Sequence, residues 1–265
     1  MFPVQKALSC IPKALKCLQV FLPELIWQSL DIRQETIFQR VPNAELPPTM
    51  QLLEHLIGYT FKTKVLLIEC MTHASSTTGS QSLERLEFLG DSILDNIVVT
   101  SMWKQEPELS HFQMHLLRTV LVNADFLAFI CMEWATELEK SGLVEIKTLD
   151  ETGKVFSEFE EVSTTLSIPL WRFMRHMSSK LGVEQVAMAK RHAELRNEIN
   201  NAIKHGTHYP WALLAKLQAQ KFYTDIIESL LGAVWIDSGS LDVCQEMVER
   251  IGILNYLRRI LKETV

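Results

Sequence analysis

Glu84-Arg85-Leu86-Glu87-Phe88-Leu89-Gly90-Asp91-Ser92-Ile93-Leu94-Asp95 is the stretch on which the reading of this chain turns. A helix advances about 100° per residue, so with Glu84 at zero, Glu87, Asp91 and Asp95 fall at roughly 300°, 340° and 20°. Four acids then share an arc of about 80°. Leu86, Leu89, Ile93 and Ile97 take the opposite side, and Leu94, Val98 and Phe88 crowd the edges of the acidic stripe. The spacing predicts a helix over 83–103, apolar nearly all round, with its acids partly buried. Acids stacked on one face repel each other by a few tenths of a kcal/mol per exposed pair, and by more when buried. A positive partner is expected there, either a metal ion or basic side chains.

A second acidic stripe lies far along the chain, in Lys221-Phe222-Tyr223-Thr224-Asp225-Ile226-Ile227-Glu228-Ser229-Leu230-Leu231-Gly232. Asp225 and Glu228 are three apart and point the same way, while Ile227, Leu230 and Val234 form the other side. Gly232 follows Glu228 on the same stripe and leaves room for another backbone or for a ligand. One such stripe is usually a solvated face. Two of them inside strongly apolar helices argue for a shared site, and an all-oxygen site suits Mg²⁺ or Mn²⁺. A di-iron bundle would need two Glu-x-x-His repeats. Only Glu108-Leu109-Ser110-His111 fits, beside a proline in a polar stretch.

Working outward, Met50 to Thr60 and Lys64 to Thr72 show helical spacing, residues 112–140 give another helix pair, and Trp211 to Lys262 is helical with a break at Asp237-Ser238-Gly239. The prolines at Pro42, Pro47 and Pro48 separate this body from one or two short helices over 13–40. Leu143 to Ser167 carries six acids against two lysines and reads as an exposed loop or small insert. Trp171 to Arg196 holds six Lys/Arg and two Glu. Alternating strand patterns are scarce. The expected class is all-α: a helical N-terminal segment over 1–46, then one domain over 47–265 with an insert at about 141–210.

Composition bounds the function. The chain has 265 residues, 47% apolar and 22% charged, with a formal net charge of −6. That balance suits a soluble globular protein and argues against holding nucleic acid by bulk electrostatics. It leaves room for a nuclease whose acids hold metal and whose basic residues are local. No apolar run approaches the ~20 residues that span a bilayer, so no membrane role is expected. Five scattered cysteines without a CxxC pair point to a reducing, intracellular setting, cytoplasm or nucleus. Met1 to Pro23 lacks the clean apolar centre of a secretory signal.

Glu84-Arg85-Leu86-Glu87-Phe88-Leu89-Gly90-Asp91-Ser92 resembles the signature of the ribonuclease III family. Thr72-His73-Ala74-Ser75 is similar to the family's T-H-x-S box, and Asp225-Ile226-Ile227-Glu228 to its second carboxylate pair, with Lys221 in the place of the lysine that often precedes it. Finer features resemble the second nuclease domain of fungal Dicer-like proteins of the second class. They are Asn96-Ile97-Val98-Val99, Leu121-Val122-Asn123-Ala124-Asp125-Phe126-Leu127, Tyr209-Pro210-Trp211-Ala212-Leu213-Leu214 and Trp235-Ile236-Asp237-Ser238-Gly239-Ser240-Leu241. Cys17-Leu18-Gln19-Val20-Phe21-Leu22-Pro23 resembles the tail of a preceding nuclease domain in those proteins.

The resemblance implies the helical ribonuclease III fold over 47–265. It also implies a dimer of two such domains, as a homodimer or with another ribonuclease III domain, that hydrolyses phosphodiester bonds in both strands of duplex RNA, as in RNA silencing. By it, Glu87, Asp91, Asp225 and Glu228 would hold Mg²⁺ or Mn²⁺, and Lys221 would stand near the scissile phosphate. Glu84 ranks lower, as an interface or RNA-contact acid. Asp95 is either a supporting group or a buried, hydrogen-bonded acid, and Asp125 is a further lower-ranked candidate. A full Dicer-like protein also has a helicase, a PAZ-like region, a first nuclease domain and an RNA-binding module, for which 265 residues have no room. The alternative is therefore a catalytically silent dimerisation or scaffold domain. His111 and His115 are i, i+4 but lack a third ligand nearby. His73 is expected to cap or pack a helix. Trp171, Trp211 and Trp235 are expected in the core, since duplex RNA offers backbone and 2′-hydroxyls rather than base faces. The basic segment 171–196 either tracks phosphates or forms a solvated helical face.

Overall fold

A computed structural model describes residues 46, 48–76, 82–149 and 155–264. The helices expected over 13–40 and the tail-like stretch 17–23 lie outside these residues. In chain order the elements are α1 (Pro48–Ile57), α2 (Lys64–Cys70), α3 (Glu84–Trp103), α4 (His111–Leu121), α5 (Ala124–Glu133), β1 (Ala135–Leu149), β2 (Val155–Pro169), a 3₁₀ turn (Leu170–Phe173), α6 (Ser179–His205), α7 (Trp211–Ala215), α8 (Phe222–Ser238), α9 (Leu241–Arg250) and α10 (Ile253–Thr264). The protein is mostly helical, as the periodicity predicts.

Local chemistry sets the helix ends. Ser110 and Gln113 exchange side-chain and backbone bonds as a capping box at the start of α4. Asn123 caps α5 by accepting from the Phe126 N–H at 3.1 Å. Gly239, at φ 69°, ends α8 in the left-handed conformation glycine adopts without strain.

α8 is the axis of the fold. It packs against α2, α3, α5 and α9, and almost every residue from Phe222 to Asp237 is buried. Its C-terminal end is tied down by Asp237, only 2% exposed. That carboxylate accepts from the Lys62 and Thr63 N–H groups at 2.7 and 2.9 Å and from the Tyr59 hydroxyl at 2.8 Å. A buried charge is tolerated when donors surround it in this way. The loop into α2 is thereby fixed against α8.

Leu143 to Ser167, expected as an exposed loop or small insert, is part of a hairpin rather than a loop. β1 and β2 pair antiparallel from Ala135↔Pro169 to Leu149↔Val155. The acids there are compatible with a strand pair because the backbone ladder satisfies itself whatever the side-chain charge.

Below the hairpin, Glu133 at the end of α5 gathers three groups from α6: Arg196 at 2.6 Å, His192 at 2.7 Å and Asn200 at 2.9 Å. Burial opposes its ionisation, but these bonds outweigh burial and bring the carboxyl down to about 2. Arg191 donates to the Leu217 carbonyl and to Glu184. Two of the six cations of 171–196, Arg191 and Arg196, are thus engaged in contacts within the fold. Among the described residues no single helix is long and apolar enough to cross a membrane.

Candidate active site

Two glycines bring the acidic stripes together. A Cβ on Gly90 of α3 would stand 1.6 Å from the Glu228 carbonyl oxygen of α8. A Cβ on Gly232 of α8 would stand 2.1 Å from the Leu86 carbonyl oxygen of α3. The helices therefore touch backbone to backbone, each through the other's glycine, as only glycine permits. Of the two occupants Gly232 could make room for, the structure has a backbone. Gly90 lies on the side of Leu86, Ile93 and Ile97, and a glycine on the apolar side of a helix is itself a signal of close approach.

This crossing places Glu87, Asp225 and Glu228 with one carboxylate oxygen each within 4.8 Å of the others. Glu228 is 7% exposed, and Glu87 and Asp225 are half-buried. Lys221, just before α8, donates from Nζ to Glu87 Oε1 at 2.6 Å and also to Asp225 Oδ1. The positive partner that the stripe requires is in part this ammonium. Its side chain is otherwise 71% exposed, at the mouth of the acidic group.

The electrostatics follow from burial and crowding. Burial pushes the Glu228 carboxyl up to about 8, and the charges of Asp91, Asp225 and Glu87 push the same way against Lys221. Asp225 is raised too, chiefly by burial, with the Lys221 bond opposing. Partial burial works against the charge on Lys221, yet Asp225 and Glu87 hold its pKa above the ordinary lysine value. Three hard oxygen donors around a point of strong negative potential are the donor set Mg²⁺ and Mn²⁺ take. The residues fit such an ion.

The other candidates are placed differently. Asp91 is exposed and lies outside the three-acid group, although its charge weighs on Glu228. The acids of α3 are thus less buried than an all-round apolar helix would make them, because the face carrying Glu84, Phe88 and Asp91 is open. Among the described residues Glu84 accepts from Ser82 Oγ, at 3.2 Å. Asp95 is ion-paired with Arg118 of α4, a pairing 23 positions apart that helical spacing cannot reveal. Asp125 sits in the first turn of α5, its carboxyl raised by burial. His73 closes a turn, with Nδ1 accepting from the Ser75 N–H at 3.0 Å and 3.0 Å from the Ser75 hydroxyl. His111 and His115 are exposed, and neither belongs to a metal-competent cluster among the described residues. Trp171 is buried, but Trp211 departs from the expected core position. It is 46% exposed and packs edge-on against Tyr209 at 4.4 Å.

The Ribonuclease III domain family matches residues 84–239. The chain is similar to Dicer-like protein 2 of Pyricularia oryzae, 43% identical over 96% of this chain and 17% of that protein. It is similar to Dicer-like protein 2 of Cryphonectria parasitica at 42% identity over 96% of this chain and 18% of that one. The same holds for Dicer-like protein 2 of Neurospora crassa at 40% over 94% and 17%. The chain thus spans under a fifth of the length of these relatives. Among solved structures, the nuclease domain of ribonuclease III from Campylobacter jejuni aligns at 21% identity over 76% of this chain and 94% of that chain, with a TM-score of 0.45.

Proposed function

The chain belongs to the ribonuclease III family, and on that premise we propose that it is a divalent-metal-dependent endonuclease of double-stranded RNA, of the kind that serves RNA silencing in Dicer-like proteins. The observation that carries this reading is the convergence of Glu87, Asp225 and Glu228 at the reciprocal glycine crossing.

Glu87, Asp225 and Glu228 would hold Mg²⁺ or Mn²⁺, with Asp91 at the rim. When bound, such an ion supplies Lewis-acid stabilisation of the charge that develops on phosphate oxygens. Glu228 must lose its proton before it can ligate, so uptake of the ion near neutral pH releases a proton. Lys221 is exposed at the mouth and tethered by two acids. It is positioned to bind a phosphate oxygen and steady its charge. Purified protein incubated with a long RNA duplex and Mg²⁺ should shorten the duplex, and EDTA should stop it. A silent scaffold domain would leave the duplex intact in both tubes.

Pairing with a second ribonuclease III domain belongs to the same proposal. Phe88 stands on the open face of α3 beside the acids and is 78% exposed. Solvent-facing aromatic area of this kind is favourable to cover. A homodimer, or a pair with another such domain, would bring that face of α3 into its contact. Light scattering at tens of micromolar should give a dimer mass, and Phe88→Ala should shift it toward the monomer. A wild-type mass that stays monomeric would leave only a partner in another chain.

A further inference from the structure

Arg118 has no part in the chemistry described so far, yet it is bonded to the acidic stripe. It reaches from α4 to α3 and donates from Nε to Asp95 Oδ1. Asp95 lies one helical turn beyond Asp91, so the guanidinium stands at the far end of the row Glu87, Asp91, Asp95. Among the described residues only two cations are bonded to this row. Lys221 holds its Glu87 end and Arg118 its Asp95 end.

The two are used differently. Lys221 divides its ammonium between Glu87 and Asp225. Arg118 spends one N–H on Asp95, and its terminal amino groups make no hydrogen bond to any described residue. Its side chain is 45% exposed. An arginine anchored through Nε keeps its outer donors in a fixed fork, the geometry that suits phosphate oxygens. Asp95, and more weakly Asp91, hold the guanidinium charged.

We propose that Arg118, anchored by Asp95, binds a backbone phosphate of the RNA strand beside the one that is cut. Eight residues of helix separate Glu87 from Asp95, about 12 Å along the axis. That rise sets Arg118 at the other end of the row from Lys221, on the side where a neighbouring phosphate of the strand would lie. The inference rests on the nuclease reading above and adds a strand-positioning residue to it.

The test uses the full chain and a blunt RNA duplex, followed both by equilibrium binding and by Mg²⁺-dependent cleavage over a range of KCl. Arg118→Gln keeps the stem and a donor but loses the charge, while Arg118→Lys keeps the charge. A flanking phosphate contact predicts that Arg118→Gln raises KM about tenfold, lowers the slope of log(kcat/KM) on log salt by about one, and leaves kcat within about twofold. Arg118→Lys should keep most of the slope. If Arg118→Gln lowers only the melting temperature, or lowers kcat at an unchanged salt slope, the contact is overturned. Binding without cleavage, with the slope still lowered by Arg118→Gln, would sink the nuclease reading and keep the contact. Cleavage with a slope unmoved by Arg118→Gln would do the reverse, and no binding at all would sink both.

Discussion

Glu228→Gln is expected to lower duplex cleavage by at least ~10²-fold, the scale of losing one preorganised electrostatic group. The metal-free protein should nevertheless melt no lower than wild type. The substitution keeps volume and hydrogen-bonding capacity and removes a charge that burial, Asp91, Asp225 and Glu87 all oppose. What the variant should lose is the rise in melting temperature on adding Mg²⁺ or Mn²⁺, since a ligand bound only to the folded state stabilises it. The same shift fixes a pH dependence. The folded carboxyl titrates at about 8 against 4.5 for the ordinary group, so between those values the folded state holds a proton that the unfolded state has released. Stability from this group is complete below about pH 4.5 and is lost as pH rises toward 8, by up to about 1.4 kcal/mol per unit. In EDTA, wild type should therefore melt lower at pH 8 than at pH 5.5, and Glu228→Gln should show a flatter profile. A Glu228 that served only as a buried ion-pair partner would behave oppositely. Its replacement would strand a charge at a cost of several kcal/mol, and a clear drop in EDTA with an unchanged metal response would sink the ligand assignment.

Gly90→Ala should be the most damaging single methyl group in the protein. The added Cβ would meet the Glu228 carbonyl oxygen at 1.6 Å, and that neighbour is helix backbone with no rotamer to yield. The helices would have to part by more than an ångström, with a loss above about 3 kcal/mol from overpacking. Any molecules that still fold would hold Glu87 away from Asp225 and Glu228, and displacement on that scale costs about 10²-fold in rate. Gly232→Ala should act in the same way, through Leu86. Gly182→Ala is the control. It lies inside α6 with only His176 Cε1 nearby, at 3.9 Å, and the better helix former should leave stability unchanged or raise it by up to about 1 kcal/mol. Urea melts and cleavage assays of the three variants decide the matter. A Gly90→Ala protein that melts like the Gly182→Ala control would show that the crossing tolerates separation.

The acidic stripes were legible because helical periodicity maps spacing directly onto direction, and Asp225 and Glu228 could be read three apart without knowing their partners. Which acids meet was not legible from the spacing, because that depends on the crossing of α3 with α8; only the resemblance grouped Glu87 and Asp91 with Asp225 and Glu228. The crossing gathers Glu87 with Asp225 and Glu228 and leaves Asp91 on the open face. Gly90 was visible as part of the signature, but its purpose appears only when the Glu228 carbonyl stands behind it. The hairpin had a faint period-two signal in Val144-Glu145-Ile146-Lys147. Its density of acids favoured a loop reading, and strand pairing is a long-range property that composition does not carry. Arg118 and Asp95 illustrate the same limit, since their bond joins two helices.

The glycine crossing also governs when, during synthesis, the three-carboxylate site can form. Lys221 and Glu87 are 134 positions apart. At ribosomal rates of about 5–20 residues per second, α8 is made roughly 7–27 s after α3. Throughout that interval α3 has its acids but no Asp225 or Glu228, and its backbone groove at Gly90 is bare. Neither half alone offers the three-carboxylate donor set. On the proposed reading, this site can act on RNA only once α8 has been made and closes the crossing.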